Sequence, residues 1–462
     1  VDRLDRACLD ELYQGGASLA FDPLVLLKMV LYQLLQGNRS PAKWFEEAKL
    51  NEAMQWLGRG YTPARRTWYL FRDRVGDAID QLHQQIITGA IDLDLVAAEV
   101  GVQDGTSVAA CASRHRMVNQ ETLRRRTELL GSVIDGTHPA DCPLPLWVPP
   151  TAVGRLDLSE RMQTAANVLK ERIAKNVEKP SDKRKDSAKI VVSLSAPIAP
   201  LGRDKFKVYR PLYTVQYVVE PVSRMILSYG CEAAVNDAGT LTPMIDKTQQ
   251  IVGGRLRVMM ADAAYCSILD LRDCHERGIE LFAPVQSNSF TEKKKQAKDW
   301  VQMPREEFSF DQEKQSYQCP AGHELLYKDR TRKKRHGDRT LWESRYRCDR
   351  SHCQACPLMS QCLRPGSSCR TIKRLEGQEL VDTQREKMAD PDVQARYALR
   401  GQSVELGFAD AKTHRGLARF HGRGLQRART EKCSGTHSRP CAQSRVMIIV
   451  NDSKITRCLP GC

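Results

Sequence analysis

The chain has 462 residues, 41% of them hydrophobic, which at ~150 residues per domain predicts roughly two to four domains with their own cores. Lys and Arg number 71 against 56 Asp and Glu, and the net charge of +15 favours a polyanionic partner, either nucleic acid or an anionic membrane. The membrane alternative is weaker, because the most apolar stretch, residues 24–35, contains Lys28 and is shorter than the ~20 residues that cross a bilayer. No signal peptide is recognisable, so we expect a cytosolic chain without membrane contact.

Three proline pairs predict that residues 1–94 are helical. Each pair puts a residue typical of N-caps before a proline at the first helical position, where the missing N–H costs nothing. The pairs are Asp22-Pro23, Ser40-Pro41 and Thr62-Pro63. We therefore expect a small helical bundle as the N-terminal domain.

The third predicted helix carries arginines on the sides that face away from the core. Trp68, Phe71 and Val75 recur at helical spacing and are expected to pack inward. The residues on the other sides are Arg65, Arg66, Arg72 and Arg74. Two interpretations stay open: a helix that contacts DNA, and a basic face that is only solvated.

Residues 95–289 alternate between strand and helix patterns, which predicts a mixed α/β sheet. The run at residues 95–112 predicts a strand, a turn at Asp104-Gly105 and a second strand. Residues 113–189 are rich in charge and proline and predict a helical insertion with loops. Residues 207–220 and 223–235 suit an antiparallel pair of strands, and helices and strands then alternate to residue 285.

Two aspartates are predicted at strand ends of this sheet. Asp104 precedes a glycine, and Asp262 closes the apolar run at residues 255–261. Carboxylates at the ends of neighbouring strands converge on one point, where they can chelate a hard divalent cation through oxygen. The alternative, an aspartate that ends a strand and begins a turn, stays open for each residue taken alone.

Six of the sixteen cysteines crowd into a basic segment, residues 290–370. They are Cys319, Cys348, Cys353, Cys356, Cys362 and Cys369. In a reducing compartment this distribution favours a metal site over disulfides. Four thiolates suit tetrahedral zinc, namely Cys319, Cys353, Cys356 and Cys362, with His323 or Cys348 as substitutes. The alternative is a set of unliganded thiols in a poorly packed insertion, and the basic run at residues 330–335 is either a phosphate-binding face or a solvated loop.

Residues 371–431 predict a helical region with a basic face. Glu405, Lys412 and Arg419 are seven residues apart, and Phe408 and Arg415 fall close to the same stripe. Nine Lys or Arg lie between positions 396 and 432 against three acidic residues, which favours an anionic partner over a merely solvated face. The tail, residues 432–462, loses the helical period, and we expect either a frameshifted end or a genuine irregular tail.

Five segments, in this order, resemble the blocks of a known enzyme family. They are QDGTSVAA, YRPLYTVQYVVE, NDAGTL, MADAAY and VELGFADAKTHRGLARFHGRGL. The series is similar to that of DDE transposases from bacterial insertion sequences, in the branch with a helical N-terminal domain. The resemblance implies an α/β RNase H-like catalytic domain, with a helical N-terminal domain and a small cysteine-rich insertion. It also implies that Asp104, Asp262 and Glu405 form the acidic triad.

The resemblance implies metal-dependent cutting and joining of DNA. Two cations, Mg²⁺ or Mn²⁺, roughly 3.5–4 Å apart stabilise the entering and leaving oxygens, so no histidine or serine nucleophile is needed. A Tyr-Arg-Glu-Lys signature matches Tyr397, Arg400, Glu405 and Lys412, and it implies that Arg400 and Lys412 touch transposon-end DNA. The candidate DNA contacts in this region are Tyr397, Arg400, Lys412, Arg415 and Arg419.

The expected partners are double-stranded DNA, as terminal inverted repeats and as target, and a second copy of the chain, since two ends must be brought together. We expect a cytoplasmic, nucleoid-associated protein. Two alternatives stay open. One is a decayed DNA-binding remnant whose altered C-terminus has cost it activity, and the other is an RNase H-like nuclease or resolvase.

Overall fold

Helices and sheets alternate along the chain in a computed structural model, so the fold is mixed α/β. The structure describes residues 1–13, 21–204, 206–285, 302–336, 339–364 and 366–436. The chain forms two compact units. One holds Val1–Tyr265, Ile279–Phe282 and Ala395–Cys462, and the other holds Cys266–Gly278 and Ala283–Gln394.

The N-terminal part of the first unit is helical, as predicted. Its helices are Ala7–Asp10, Pro23–Leu35, Pro41–Leu50, Glu52–Leu57 and Arg65–Asp92. Asp22 caps the second of them, because its carboxylate accepts the N–H of Leu24 at 2.9 Å. Trp68, Phe71 and Val75 are buried in the core that these helices share, which confirms the predicted inward face.

The predicted helix start at Thr62-Pro63 is wrong by two residues. The helix begins at Arg65 with Ala64 as its N-cap, and Pro63 stays in the extended approach. Pro63 is buried, and its carbonyl accepts the indole N–H of Trp68 at 3.2 Å. Pro63 is therefore used in a contact with the first turn of the helix and not as its first residue.

The first unit is built around a sheet whose long strands come from distant parts of the chain. Its strands are β1 Val100–Ala109, β4 Leu201–Arg203, β5 Tyr209–Val219, β6 Ile226–Glu232, β7 Val258–Met260 and β8 Glu280–Phe282, and β2 Met117–Val118 and β3 Val192–Ser193 form a separate pair. β1 pairs antiparallel with β5 on one side and parallel with β7 on the other. β6 extends the sheet antiparallel to β5, and β8 extends it parallel to β7. The predicted antiparallel pair and the later alternation are confirmed.

The turn predicted at Asp104-Gly105 is wrong. β1 runs unbroken through both residues, which pair across the sheet with Tyr217 and Gln216 of β5. The long-range ladder with β5 satisfies the backbone groups here, so it overrides the local turn preference of an Asp-Gly pair. Asp104 therefore lies in the middle of a central strand, whereas Asp262 lies just past the end of β7, as predicted.

The insertion predicted as helical contains the helices Gln120–Ile134 and Ala152–Val177, which pack on each other around a core that includes Leu123 and Leu169. After β6 the chain forms the helix Leu241–Ile251, which packs on the sheet through Met244 and Ile245.

The second unit holds the cysteine-rich segment in a five-stranded antiparallel sheet. Its strands are β9 Ser309–Asp311, β10 Ser316–Gln318, β11 Glu324–His336, β12 Arg339–Cys348 and β13 Thr371–Leu375, in the spatial order β13-β12-β11-β10-β9. The helices of this unit are Ile268–Glu276, Arg350–Gln354, Met359–Cys362 and Gln378–Ala389, together with the first four residues of Pro391–Arg400. The basic run at residues 330–335 belongs to β11 rather than to a loop.

The helical region predicted at residues 371–431 is not continuous. Helix Pro391–Arg400 passes through a π-helical turn, Gly401–Glu405, into helix Leu406–Thr413, and a further helix follows at Leu425–Thr436. Gly416 and Gly424 adopt φ of +68° and +87°, which other residues rarely reach, and they end the helical path. Arg419 consequently lies beside Ala109 in an isolated parallel bridge and not on the predicted helical stripe.

The irregular or frameshifted tail was predicted at residues 432–462, and residues 437–462 lie outside the described residues. In the described ranges, we find no helix with the length and apolar content that a bilayer crossing requires.

Candidate active site

One guanidinium joins two of the three predicted carboxylates. Nη2 of Arg400 lies 3.3 Å from Oδ1 of Asp104, and Nη1 lies 3.6 Å from Oε1 of Glu405. Asp104 belongs to β1, and Asp262 follows β7, the parallel neighbour of β1. The sheet thus brings strands from positions far apart in sequence together, and the C-terminal helices add Arg400 and Glu405.

The π-helical turn explains how Arg400 and Glu405 reach the same place. In an α-helix of 3.6 residues per turn, residues five apart point in directions that differ by about 140°. A π-turn closes a wider i→i+5 ring, so residues five apart come back towards one side. Gly401–Glu405 forms such a turn directly after Arg400. The irregular turn therefore aligns the guanidinium with Glu405.

Asp104 sits in an environment that opposes its charge. Burial raises the pKa of Asp104 to about 6, and the nearby carboxylates of Asp262 and Asp237 act in the same direction. The Arg400 guanidinium and the N–H of Gly105 lower the pKa but do not cancel the effect of burial. A further cation beside Asp104 would stabilise its charged form.

Asp262 is held by its own turn. Its Oδ1 accepts the N–H of Ala264 at 2.7 Å, and its carbonyl accepts the N–H of Tyr265 at 3.1 Å. Tyr397 donates its hydroxyl to the carbonyl of Ala261 at 3.1 Å. Helix Pro391–Arg400 is thereby tied to the residue that precedes Asp262.

Lys412 lies against β1 two residues beyond Asp104. Its Nζ donates to the carbonyl of Ser107 at 3.0 Å and to the hydroxyl of Thr106. Side chains alternate between the faces of a strand, so Thr106 and Asp104 share one face. On that face Phe408 stacks on Tyr217, the β5 partner of Asp104, with ring centroids 4.7 Å apart. These contacts fix the helix Leu406–Thr413 over the strand that carries Asp104.

The opposite face of β1 carries a polar network that sequence reasoning missed. Tyr265 and Gln103 donate to Oε1 of Gln216, at 2.7 Å and 3.2 Å, and Gln216 donates through its Nε2 to Asp237. Burial raises the pKa of Asp237, and Asp262 adds to that effect. Asp237 belongs to the segment NDAGTL, so the family-like block contained the signal, but nothing in the spacing singled out its aspartate.

The other predicted DNA contacts fall into two groups. Arg65 and Arg66 are exposed at the start of their helix. The remaining arginines make internal contacts. Arg72 pairs with Asp73 at 2.7 Å, Arg415 donates to the carbonyl of Leu35 at 2.9 Å, and Arg419 donates to the carbonyl of Ala112 at 2.9 Å. The structure does not gather these residues around the carboxylates.

The second unit brings several thiols into one small core. Burial raises the pKa of Cys348 to about 12, and the neighbouring thiols of Cys353 and Cys319 add to the effect. The sulfur of Cys319 accepts the N–H of His323 at 3.3 Å, and the sulfur of Cys353 accepts the N–H of Arg370 at 3.4 Å. Cys362 packs against the same core. Cys348, which sequence reasoning kept only as a substitute ligand, is thus closely associated with Cys353.

Within the described segments, no group of three or more acidic, histidine or cysteine side chains is arranged to hold a metal ion. At the sheet, Arg400 lies between Asp104 and Glu405, where a shared cation would have to sit.

A family model matches part of the chain. Residues 318–433, about a quarter of the chain, match the family model described as transposase DDE domain. The matched segment runs from the cysteine-rich sheet through Arg400, Glu405 and Lys412. No curated protein and no solved structure matches the chain.

Proposed function

We propose that this chain is a DDE-type transposase, which cuts DNA at the ends of an insertion sequence and joins the freed ends to target DNA, with Asp104, Asp262 and Glu405 as its catalytic carboxylates. The observation that carries the proposal is the Arg400 guanidinium, which links carboxylates from a central strand and from the matched segment. Asp262 follows the adjacent parallel strand and is close enough to raise the pKa of Asp104.

The donor set suits Mg²⁺ or Mn²⁺. Carboxylate oxygens are the ligands that hard divalent cations prefer, and two such cations supply charge stabilisation for both the attacking and the leaving oxygen. The Arg400 guanidinium lies against both Asp104 and Glu405, which supports this pair of carboxylates as a site for positive charge. We assign Asp104, Asp262 and Glu405 as the residues that hold the metal.

The surrounding residues position these carboxylates. Tyr397 anchors the segment before Asp262, and Phe408 fixes the helix that follows Glu405. Lys412 supplies a positive charge beside the strand of Asp104, where a DNA phosphate would pass. Cleavage and strand transfer then differ only in whether water or a DNA 3′-hydroxyl attacks, so one site can serve both reactions.

DNA is the substrate that we assign to the basic surface. Arg65 and Arg66 are exposed on the N-terminal helical bundle, which we propose recognises the terminal inverted repeats. Because two ends must be joined, we propose that the chain acts as a homodimer on DNA. We place it in the cytoplasm, with the nucleoid DNA.

We also propose that the second unit binds a structural Zn²⁺. Tetrahedral zinc is commonly held by four cysteine thiolates. The supporting contacts are the N–H groups donated to the sulfurs of Cys319 and Cys353 and the close approach of Cys348 to Cys353. The sequence-based set of Cys319, Cys353, Cys356 and Cys362 remains the proposed ligand set, with Cys348 as the replacement that these contacts favour.

The test is nicking of a duplex that carries the ends of the element that encodes the chain, with Mg²⁺ or with EDTA. We expect Mg²⁺-dependent nicks at the ends, none with Asp262→Asn, and unchanged nicking with Glu128→Gln, a control in an exposed ion pair with Arg124. End binding without nicking would favour a decayed remnant. Cleavage of branched DNA regardless of sequence would favour a nuclease or resolvase.

A further inference from the structure

Arg400 is more enclosed than a DNA-contacting arginine needs to be. Its side chain is 13% exposed, and its two terminal nitrogens face Asp104 and Glu405. Its Nε is buried and has no hydrogen-bond partner among the described residues. A guanidinium normally uses its donors in a planar fork, so this one is only partly satisfied where it lies.

The two ion-pair contacts of Arg400 are also long for charge-assisted hydrogen bonds. Such bonds from guanidinium to carboxylate usually measure about 2.7–2.9 Å. Here the two distances are 3.3 Å to Asp104 and 3.6 Å to Glu405. The guanidinium therefore lies near both carboxylates without being tightly held by either of them.

A divalent cation and this guanidinium cannot occupy the same position. Mg²⁺ and similar ions require oxygen ligands at about 2.0–2.1 Å, which brings the ligating carboxylates close together around one point. With Arg400 in place, Asp104 and Glu405 each turn an oxygen towards a guanidinium nitrogen. Metal coordination by both carboxylates thus requires the guanidinium to leave.

We infer that Arg400 is an internal counter-cation that competes with the divalent metal for Asp104 and Glu405 until a DNA phosphate draws the guanidinium away. This inference rests on the proposed function. It couples the two binding events, because the phosphate that takes Arg400 frees the carboxylates for metal. Thermodynamic linkage makes the coupling reciprocal, so metal tightens DNA binding by the same factor by which DNA tightens metal binding.

The test is a titration of the full chain with Mn²⁺ alone, followed by the electron paramagnetic resonance signal of the free ion. We expect Arg400→Gln to bind Mn²⁺ roughly tenfold more tightly than the parent chain, within the 5- to 150-fold range usual for coupled sites. Arg400→Lys keeps the charge and should bind more weakly than Arg400→Gln. Arg427→Gln is the charge-matched control, since Arg427 pairs with Asp73 at 3.3 Å, and it should leave the affinity unchanged.

Equal or weaker Mn²⁺ binding by Arg400→Gln would overturn the inference, because a purely structural arginine lowers affinity when it is lost. If that variant does not fold, the inference can still be tested on the parent chain by measuring its Mn²⁺ affinity with and without DNA. Saturating duplex DNA should raise its Mn²⁺ affinity several-fold, and an unchanged affinity would contradict the competition.

Failure of the proposed function would look different. Asp262→Asn should lower Mn²⁺ affinity in both the parent and the Arg400→Gln background. If it lowers neither, the carboxylates are not the metal site, and the proposed function fails. If it lowers both while Arg400→Gln changes nothing, only the competition by Arg400 is refuted.

Discussion

Gly105 leaves room for the polar network on the far face of β1, and replacing it with alanine should break that network. A Cβ at this position would lie 2.0 Å from Oδ1 of Asp237 and 2.4 Å from Nε2 of Gln216. Both distances are far below any van der Waals contact, so Gly105→Ala must push the two side chains apart.

The magnitude follows from the contacts that would be lost. Overpacking a filled interior costs about 1–3 kcal/mol, and each net hydrogen bond that is broken costs about 1 kcal/mol more. The hydrogen bond between Gln216 and Asp237 lies directly in the path of the new methyl group. We therefore expect Gly105→Ala to reduce the free energy of unfolding by about 2–4 kcal/mol.

The assay is urea unfolding of the parent chain and two variants, followed by circular dichroism. The control is Gly131→Ala, a helical glycine whose added Cβ meets nothing within 4 Å, and it should be neutral or stabilise by up to about 1 kcal/mol. If Gly105→Ala lowers the free energy of unfolding by less than about 0.5 kcal/mol, the reasoning is refuted, because the added methyl group would then fit without disrupting the network.

Four further predictions follow from other contacts. Burial raises the pKa of Asp104 from 3.8 to about 6, so folding favours its protonated form and stability falls as the pH rises from about 4 through 6. With EDTA present, Asp104→Asn should be up to about 3 kcal/mol more stable than the parent in urea unfolding at pH 8 and equally stable at pH 3, and a pH-independent difference would contradict this. Tyr397→Phe should lose about 1 kcal/mol of stability and weaken Mn²⁺ binding, because the carbonyl of Ala261 loses its donor; calorimetry measures both. Purified chain should contain one zinc by atomic absorption, lost in Cys353→Ser but kept in the exposed-thiol control Cys142→Ser. The double variant Arg65→Ala and Arg66→Ala should reduce the salt dependence of DNA binding by a slope of about 1–2, and an unchanged slope would place the contact elsewhere.

The sequence predicted correctly those elements in which the local preference of the residues matches their packing in the folded chain. The Asp22-Pro23 start holds because the aspartate caps the helix directly, and Trp68, Phe71 and Val75 face the core because helical spacing puts them on one side. The pair of strands at β5 and β6 was predictable from its β-branched and aromatic residues. Here local preference and tertiary packing require the same structure.

Other features depend on contacts between distant residues, which a single sequence does not reveal. The Asp-Gly pair at 104–105 is a strong local turn signal, yet eight residue pairs with β5 keep β1 straight. The helix after Glu405 ends at Thr413, and Gly416, three residues later, takes a positive φ that does not continue it. The π-turn that aligns Arg400 with Glu405, and the counter-cation position of Arg400, cannot be read from spacing, because α-helical geometry places those residues on different sides.

The most direct test of the central claim replaces Mg²⁺ with Fe²⁺ and ascorbate, so that hydroxyl radicals cut the chain wherever the metal is bound. If the three carboxylates hold the metal, DNA-bound chain should be cut near Asp104, Asp262 and Glu405, and excess Mg²⁺ or Asp262→Asn should suppress all three cuts. Cuts confined to other positions, or cuts near these residues that persist in Asp262→Asn, would contradict the account.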